Sequence, residues 1–458
     1  MLSAGLAAPG GVCNPQVGSV LVKRVVAASA VLALAAPGAA AGAGLELVSR
    51  DLDSTAPARA ARFDLIGIHW RGSGSVLFRT RSLAGRWSSW RAAAPGEDDL
   101  PDRGTEGGVS GWRLGSPFWV GGADMLQVRR VGRVGRVRAF FVRSPGRSRP
   151  VLQPLMTETP AIVTRAEWGA NEAIKRAPPR YADGVHFAIV HHTAGSNAYS
   201  PSQSASIVRA IELYHVEANG WNDIGYNFLV DKYGQIFEGR YGGMTRAVIG
   251  AHAEGFNVGS VGIALLGNYD GARPTAAARA ALVSLLAWRL DLAHVDPLSK
   301  VVRVSDGNPR YPAGRKVTLN AISGHRDTGP TSCPGTNLYA QLPAIRKEVA
   351  QTGLPKLYAP RVAGALGGQI RFRATLSAEA AWTVTVKDQT GAAVAGGSGT
   401  GTAVDWTWNA TSVPTDRQYS WTIAAPDMRS AAGTIGLPML RLVSPLRPWF
   451  WPLIQAKR

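Results

Sequence analysis

The hydrophobic and polar positions change rhythm twice along the chain. Through residues 42–152, short alternating segments predominate, with Phe63 to Trp70, Ser75 to Thr80 and Arg136 to Arg143 separated by glycine-rich breaks. Period-two runs bounded by glycine predict an antiparallel N-terminal β-sandwich-like module. Residues 158–353 mix two periods. Val185 to Val190 and Ser260 to Leu266 read as short buried strands, Val317 to Ser323 as another, and Gly225 to Asp231 with Gln235 to Glu238 as a hairpin around Lys232-Tyr233-Gly234. Helical spacing runs through Ile207, Ile211 and Tyr214 within 202–217, and again over Leu338 to Val349. The strongest helix is Thr275 to Ala293, with Ala278, Leu282, Leu285, Leu286 and Leu290 on one side. Together these elements predict an α/β domain, a central mixed β-sheet flanked by helices. Residues 360–438 return to alternation at Trp382 to Val386, Val404 to Trp408 and Tyr419 to Ile423, the pattern of an immunoglobulin-like β-sandwich. The tail, 439–458, is aromatic and basic, suited to packing on a neighbouring domain or to touching a membrane or wall.

Composition narrows the function classes. The 458 residues carry 50 Lys plus Arg against 31 Asp plus Glu, a formal charge of +19 that favours an anionic partner. With only Cys13 and Cys333 present, a disulfide scaffold and any four-cysteine zinc or iron–sulfur site are excluded. Lys23 and Arg24 precede an uncharged run from Val25 to Ala36, a Pro37-Gly38 break and the small residues Ala39-Ala40-Ala41. That order predicts an export signal over 1–41 and a secreted, extracellular chain associated with the cell wall. The run is shorter than the ~20 residues of a membrane span, so no transmembrane segment is expected after signal removal. Cleavage leaves Cys333 as the one cysteine, and metal ligation is a reason for such a thiol to stay reduced. The basic residues are scattered, which together with export argues against nucleic acid and for anionic cell-wall polymers.

Candidate chemistry lies in the middle domain. Ala188-Ile189-Val190-His191-His192-Thr193 puts two imidazoles where an apolar strand ends, and strand alternation sends only one of them toward a given site. Far downstream, Gly324-His325-Arg326-Asp327 begins a Gly/Pro-rich loop that returns at Cys333. Two imidazoles and a thiolate leave one tetrahedral position open, the catalytic arrangement for zinc. The alternative on spacing alone is that these are satisfied core residues.

The residues also resemble the zinc amidase family that includes peptidoglycan recognition proteins and T7-phage-type amidases (amidase type 2). Seven segments match in order: Thr164 to Ala170, Val190 to Thr193, Asp223 to Phe228, Gly234 to Arg240, Gly250 to Ala253, Asn257 with Gly262 to Ala264, and Gly324 to Gly335. This resemblance implies that His191, His325 and Cys333 hold Zn²⁺ and that Tyr226 sits beside the reacting water. It implies that Thr331 supports the oxyanion. His252, His192, Asn257 and Arg240 are then expected to contact substrate. The implied reaction is hydrolysis of the amide between the lactyl group of N-acetylmuramic acid and L-alanine of peptidoglycan, with a muropeptide as partner. Alternatives are a non-catalytic peptidoglycan-binding protein and a zinc endopeptidase cutting the stem peptide. Some relatives carry a glutamate where this chain has Ala264, so a carboxylate base is missing there.

Overall fold

The computed structural model describes residues 44–93, 99–109, 111–146 and 159–436. The expected signal, Cys13, most of the Arg147 to Pro160 linker and the aromatic tail fall outside the described residues.

The N-terminal module has six strands: β1 (Glu46–Asp51), β2 (Ala58–Trp70), β3 (Ser75–Ser82), β4 (Arg91–Ala92), β5 (Phe118–Val131) and β6 (Val137–Arg143). They form one antiparallel sheet in the order β1-β6-β2-β5-β3-β4, where separate facing sheets were expected. Register breaks between Arg59 and Leu65 interrupt the β2–β5 pairing, and bulges of this kind bend a sheet. The bent sheet encloses a core of Phe63, Ile66, Ile68, Trp70, Phe78 and Phe141. The segment Phe63 to Trp70 is buried throughout, because this part of the sheet is covered on both faces. Ile66 and Ile68 point into the module's own core. Leu65, with Phe140 and Val142 of β6, packs into the next domain.

That domain contains β7 (Ile162–Val163), α1 (Arg165–Trp168), β8 (Phe187–His192), α2 (Ser204–Leu213), β9 (Phe228–Val230), β10 (Ile236–Glu238), β11 (Ser260–Leu265) and α3 (Ala276–Asp291). It continues with β12 (Lys300–Val304), β13 (Lys316–Asn320), β14 (Ile322–Gly324), α4 (Thr336–Tyr339) and α5 (Leu342–Gln351). The mixed sheet runs β14-β8-β11-β9-β10-β7. One face packs on α3 and α5 through Val190, Ile263, Leu282, Leu286 and Ile345. The other meets α2 and the N-terminal module through Leu229, Ala264, Ile207 and Tyr214. The expected strand Val317 to Ser323 divides at Ala321: β13 joins β12 in a two-stranded ribbon, while β14 joins the main sheet. The expected helix Leu338 to Val349 also divides, and Pro343 sits in the first turn of α5, where a missing N–H costs nothing.

The C-terminal module has β15 (Leu357–Ala363), β16 (Gln369–Lys387), β17 (Ala393–Asn409), β18 (Tyr419–Ala424) and β19 (Ala431–Ile435). The long β16–β17 hairpin breaks register between Thr375 and Ala380. Its two halves share one core, with Phe372 and Val404 from one and Val384 and Val386 from the other, joined by Ile423 of β18. No helix among the described residues is long and apolar enough to cross a membrane.

Candidate metal centre

The site lies at the carboxyl ends of parallel strands, where an open α/β sheet presents its loops. β8 pairs in parallel with both β11 and β14, which brings Gly324 beside Val190 and Ala264 beside His191. The chain leaves β14 in a short turn, His325–Asp327, pinned by the Gly324 amide donating to Asp327 Oδ2 at 2.9 Å. It returns at Cys333, whose carbonyl accepts from the Arg326 amide at 2.9 Å. The Cys333 amide donates to Thr331 Oγ1 at 3.1 Å, and Cys333 Sγ accepts from the His192 amide at 3.4 Å. Backbone amides, one donating to a backbone carbonyl and three to side-chain atoms, therefore fix both ligand-bearing segments.

Four donor-bearing side chains converge here: Asp99, His191, His325 and Cys333, with ligand atoms all within 4.8 Å of one another. His191 Nδ1 lies 3.7 Å from Cys333 Sγ. Asp99 Oδ1 lies 3.1 Å from His191 Nδ1 and 3.2 Å from His325 Nδ1. The histidines and the cysteine are buried, yet among the described residues neither ring nitrogen of His325 makes a well-aligned hydrogen bond, and Nδ1 has only the Asp99 carboxylate beside it. Buried nitrogens without partners are costly unless something else claims them. Two imidazoles, a thiol and a carboxylate at these separations fit a tetrahedral zinc ion.

Tautomers follow from the surroundings. His191 Nε2 lies 3.1 Å from His252 Nδ1, and His252 Nε2 lies 3.5 Å from Ser260 Oγ. Ser260 Oγ in turn donates to the Asn257 carbonyl at 3.1 Å. A proton on each Nε2 satisfies this chain and leaves the His191 Nδ1 lone pair aimed at the centre. Burial depresses His191 to about 4 and His252 well below its ordinary value, so both are neutral near pH 7. Burial also pushes the Cys333 thiol up, so the thiolate form depends on a cation beside it. For Asp99 burial opposes ionisation, but the neighbouring His325 and His191 outweigh it and hold the carboxyl well below the usual range.

The structure brings most of the expected residues together, with different duties for several. The Tyr226 hydroxyl donates to Asp99 Oδ2 at 3.2 Å, and its ring lies 5.5 Å from that of His191. Burial raises its pKa well above 10.0, so it stays a donor. Thr331 supports the Cys333 loop through the amide bond already described. His252 is a correction: it is fully buried behind His191 and orients that ligand, so it does not line a groove. His192 is a second correction, because its Nδ1 accepts from the Tyr269 amide at 3.2 Å on the opposite face of β8. Asn257 is fully buried and Arg240 nearly so. Asn257 Oδ1 accepts from the His252 and Ala253 amides at 2.8 and 3.0 Å, while Arg240 donates to the Ile224 and Ile249 carbonyls at 3.0 and 3.1 Å. Both brace the site, and both also hold the segment beyond Asp99, Asn257 Nδ2 donating to Asp102 Oδ1 and Arg240 Nη2 to Glu106, each at 2.9 Å. Ala264 is buried beside His191, so β11 offers no carboxylate there. Asp99 was not anticipated. The available signal was compositional: Glu97, Asp98, Asp99, Asp102 and Glu106 crowd a short stretch of an otherwise basic chain.

Histidines just at the ends of β8 and β14, joined by a cysteine from the following loop, define an α/β domain with a candidate metal site. Comparison with known proteins gives that class its family. The family model for N-acetylmuramoyl-L-alanine amidase matches residues 181–336. A second model, described as Rv3811 N-terminal galactose-binding domain-like, matches residues 23–161. Peptidoglycan-recognition protein SC2 of Drosophila simulans is 34% identical over 181 residues, covering 40% of this chain and 84% of the fly protein. Peptidoglycan recognition protein 1 of Bos taurus is 33% identical, covering 39% of this chain and 80% of the bovine protein. Among solved structures, wild-type Drosophila PGRP-LB aligns at 30% identity over 40% of this chain and 92% of that one, with a TM-score of 0.31. The chain belongs to the peptidoglycan recognition protein and type 2 amidase family.

Proposed function

We propose that the chain is an exported zinc-dependent amidase that hydrolyses the bond between the lactyl group of N-acetylmuramic acid and L-alanine of peptidoglycan. The observation that carries this reading is Cys333: its thiol joins His191 and His325 at one point, completing a set of three protein ligands. A recognition-only protein has no need of a third ligand.

His191 Nδ1, His325 Nδ1 and Cys333 Sγ would hold the ion. Zinc bound there supplies a Lewis acid that polarises a carbonyl and acidifies water. The rest falls to the chain. His252 keeps the His191 lone pair pointed inward, and Ser260 keeps His252 in the matching tautomer. Tyr226, protonated at any physiological pH, donates to negative charge developing on the substrate oxygen. The Thr331 hydroxyl fixes the amide of Cys333 and keeps its own proton to donate. β11 carries no carboxylate beside His191, so on this reading the proton for the departing amine passes through Tyr226 or water. The net positive charge suits retention on anionic wall polymers.

Mass spectrometry of muropeptides incubated with the full chain tests this. Free stem peptide and unsubstituted muramyl glycan are expected, lost on chelation, restored by zinc and absent with Cys333→Ala. Cleavage within the stem would identify an endopeptidase, and intact muropeptide that still binds would identify a recognition protein.

A further inference from the structure

The fourth donor of the metal centre comes from the N-terminal module, 92 residues before His191. Its chemistry depends on where it sits. A carboxylate acting as general base stands outside the ligand sphere with room for a water between it and the metal. Asp99 Oδ1 instead lies 3.1 and 3.2 Å from the two imidazole nitrogens that face the centre. Those are separations between ligands of one small ion, given metal–ligand bonds of about 2.0–2.2 Å. Its other oxygen, Oδ2, occupies the Tyr226 hydroxyl at 3.2 Å, the donor assigned above to the substrate oxygen.

An independent set of contacts holds the same segment down. The Leu100 carbonyl accepts from Asn257 Nδ2 at 3.0 Å. Asp102 Oδ1 accepts from Asn257 Nδ2 at 2.9 Å and from the Gly255 amide at 2.7 Å. Arg103 pairs with Glu254 at 2.8 Å. Glu106 closes the series, accepting from Arg240 Nη2 at 2.9 Å and from the Asn222 amide at 3.0 Å. Asp102 and Glu106 are buried against the domain that carries the centre. A surface segment of unrelated purpose would have no reason to bury two carboxylates there.

We propose that Asp99 is an internal fourth ligand and that the Asp99–Glu106 segment lies in the substrate path, so that the N-terminal module holds the centre closed until this segment is withdrawn. The proposal rests on the zinc reading of the site but not on which amide is cut. A tethered carboxylate competes at an effective concentration in the millimolar range, so freeing it exposes the metal to small ligands.

The test uses the full chain loaded with Co²⁺, with acetohydroxamate as a metal-directed probe and the visible absorption of the cobalt as readout. Asp99→Ala and Asp99→Asn are expected to bind the probe about tenfold more tightly or better than the parent chain, with a spectral change the parent lacks. Asp102→Ala leaves the ligand in place but loosens the segment, and a smaller gain in the same direction is expected. Muropeptide cleavage should rise in the Asp99 variants. Equal probe binding in all proteins overturns the proposal. So does loss of cleavage in the Asp99 variants with probe binding unchanged, which would make Asp99 a base. Failure of the Asp99 variants to hold cobalt, with Asp102→Ala no better than the parent, overturns it as well. Tighter probe binding with no cleavage by any form upholds the closed centre and sinks the amidase reading alone.

Discussion

The two β-rich modules flank the same α/β domain and relate to it in opposite ways. The N-terminal module shares a hydrophobic core with it: Leu65, Phe140 and Val142 interleave with Ile207, Ile211 and Tyr214. Its β2 also places His69 in a buried polar cluster, 3.1 Å from Asn219 Oδ1 and 2.9 Å from the Tyr214 hydroxyl. The C-terminal module keeps a core of its own, with no residue of the α/β domain in it. Its links are polar: Arg429 to Asp291 at 2.9 Å, Lys356 Nζ to the Ala287 carbonyl at 3.2 Å, and the Ala359 amide to the His294 carbonyl at 2.8 Å. An interface built like a core couples two modules strongly, whereas one ion pair and a few hydrogen bonds couple two separate cores more weakly. The N-terminal module is thus part of the unit that forms the metal centre, consistent with its contributing Asp99.

This contrast is best attacked first at Gly67, on the face of β2 that meets α2. A β-carbon there would lie 2.0 Å from the Tyr214 ring, which is fully buried and has nowhere to go. Gly67→Ala should cost about 3 kcal/mol or more in urea unfolding. It should also loosen the Asp99 segment, since both belong to one module. Unchanged stability would mean the two domains are not packed through β2. Leu65→Ala, one turn of the pleat away, should cost about 2–3 kcal/mol by leaving a cavity between β2 and α2.

A third probe uses acid. Burial holds His69 at about 4 in the folded chain against an ordinary value of 6.5. The unfolded chain therefore takes up a proton first as pH falls, so the stabilisation is complete above 6.5 and is lost on the way down to about 4. Between pH 7 and 5, the parent should lose about 2 kcal/mol more stability than His69→Phe, measured by unfolding at each pH. Parallel pH profiles would show that His69 is not confined at the interface. On the other side of the domain, Arg429→Ala removes a pair whose arginine is 40% exposed. It should change stability by less than about 1 kcal/mol and leave cleavage untouched. A larger loss would make the C-terminal module part of the same folding unit.

Much of the fold was legible in the chain because the elements carry strong local signals. β11, α3 and the β9–β10 hairpin appear where alternation and helical spacing put them. The divided elements were not legible, since Val317 to Ser323 reads as one continuous β segment and only the sheet pairing shows that Ala321 separates two sheets. The site was legible in its ligands, where His191 and Cys333 lie 142 residues apart in matching motifs. It was not legible in its support. His252, Asn257 and Arg240 carry the polar residue types of a substrate groove, and polar atoms serve equally well to hold a wall. Choosing between those uses requires knowing which partners are buried beside them.

By itself, then, the sequence determined where most strands and helices lie and that only one of two adjacent histidines turns inward, because period-two alternation is a property of neighbours in the chain. Phe63 to Trp70 shows the boundary of that knowledge. Its pattern announces a strand, but not that both of its faces, Asp64 and His69 included, are buried. Only the tertiary structure decided that α2 covers one of these faces, that a carboxylate from the first module joins the candidate metal site, and that the last module keeps a core of its own. The physical reason is that contacts between segments a hundred residues apart are set by the shapes and unpaired donors of both surfaces together, and no local pattern encodes both.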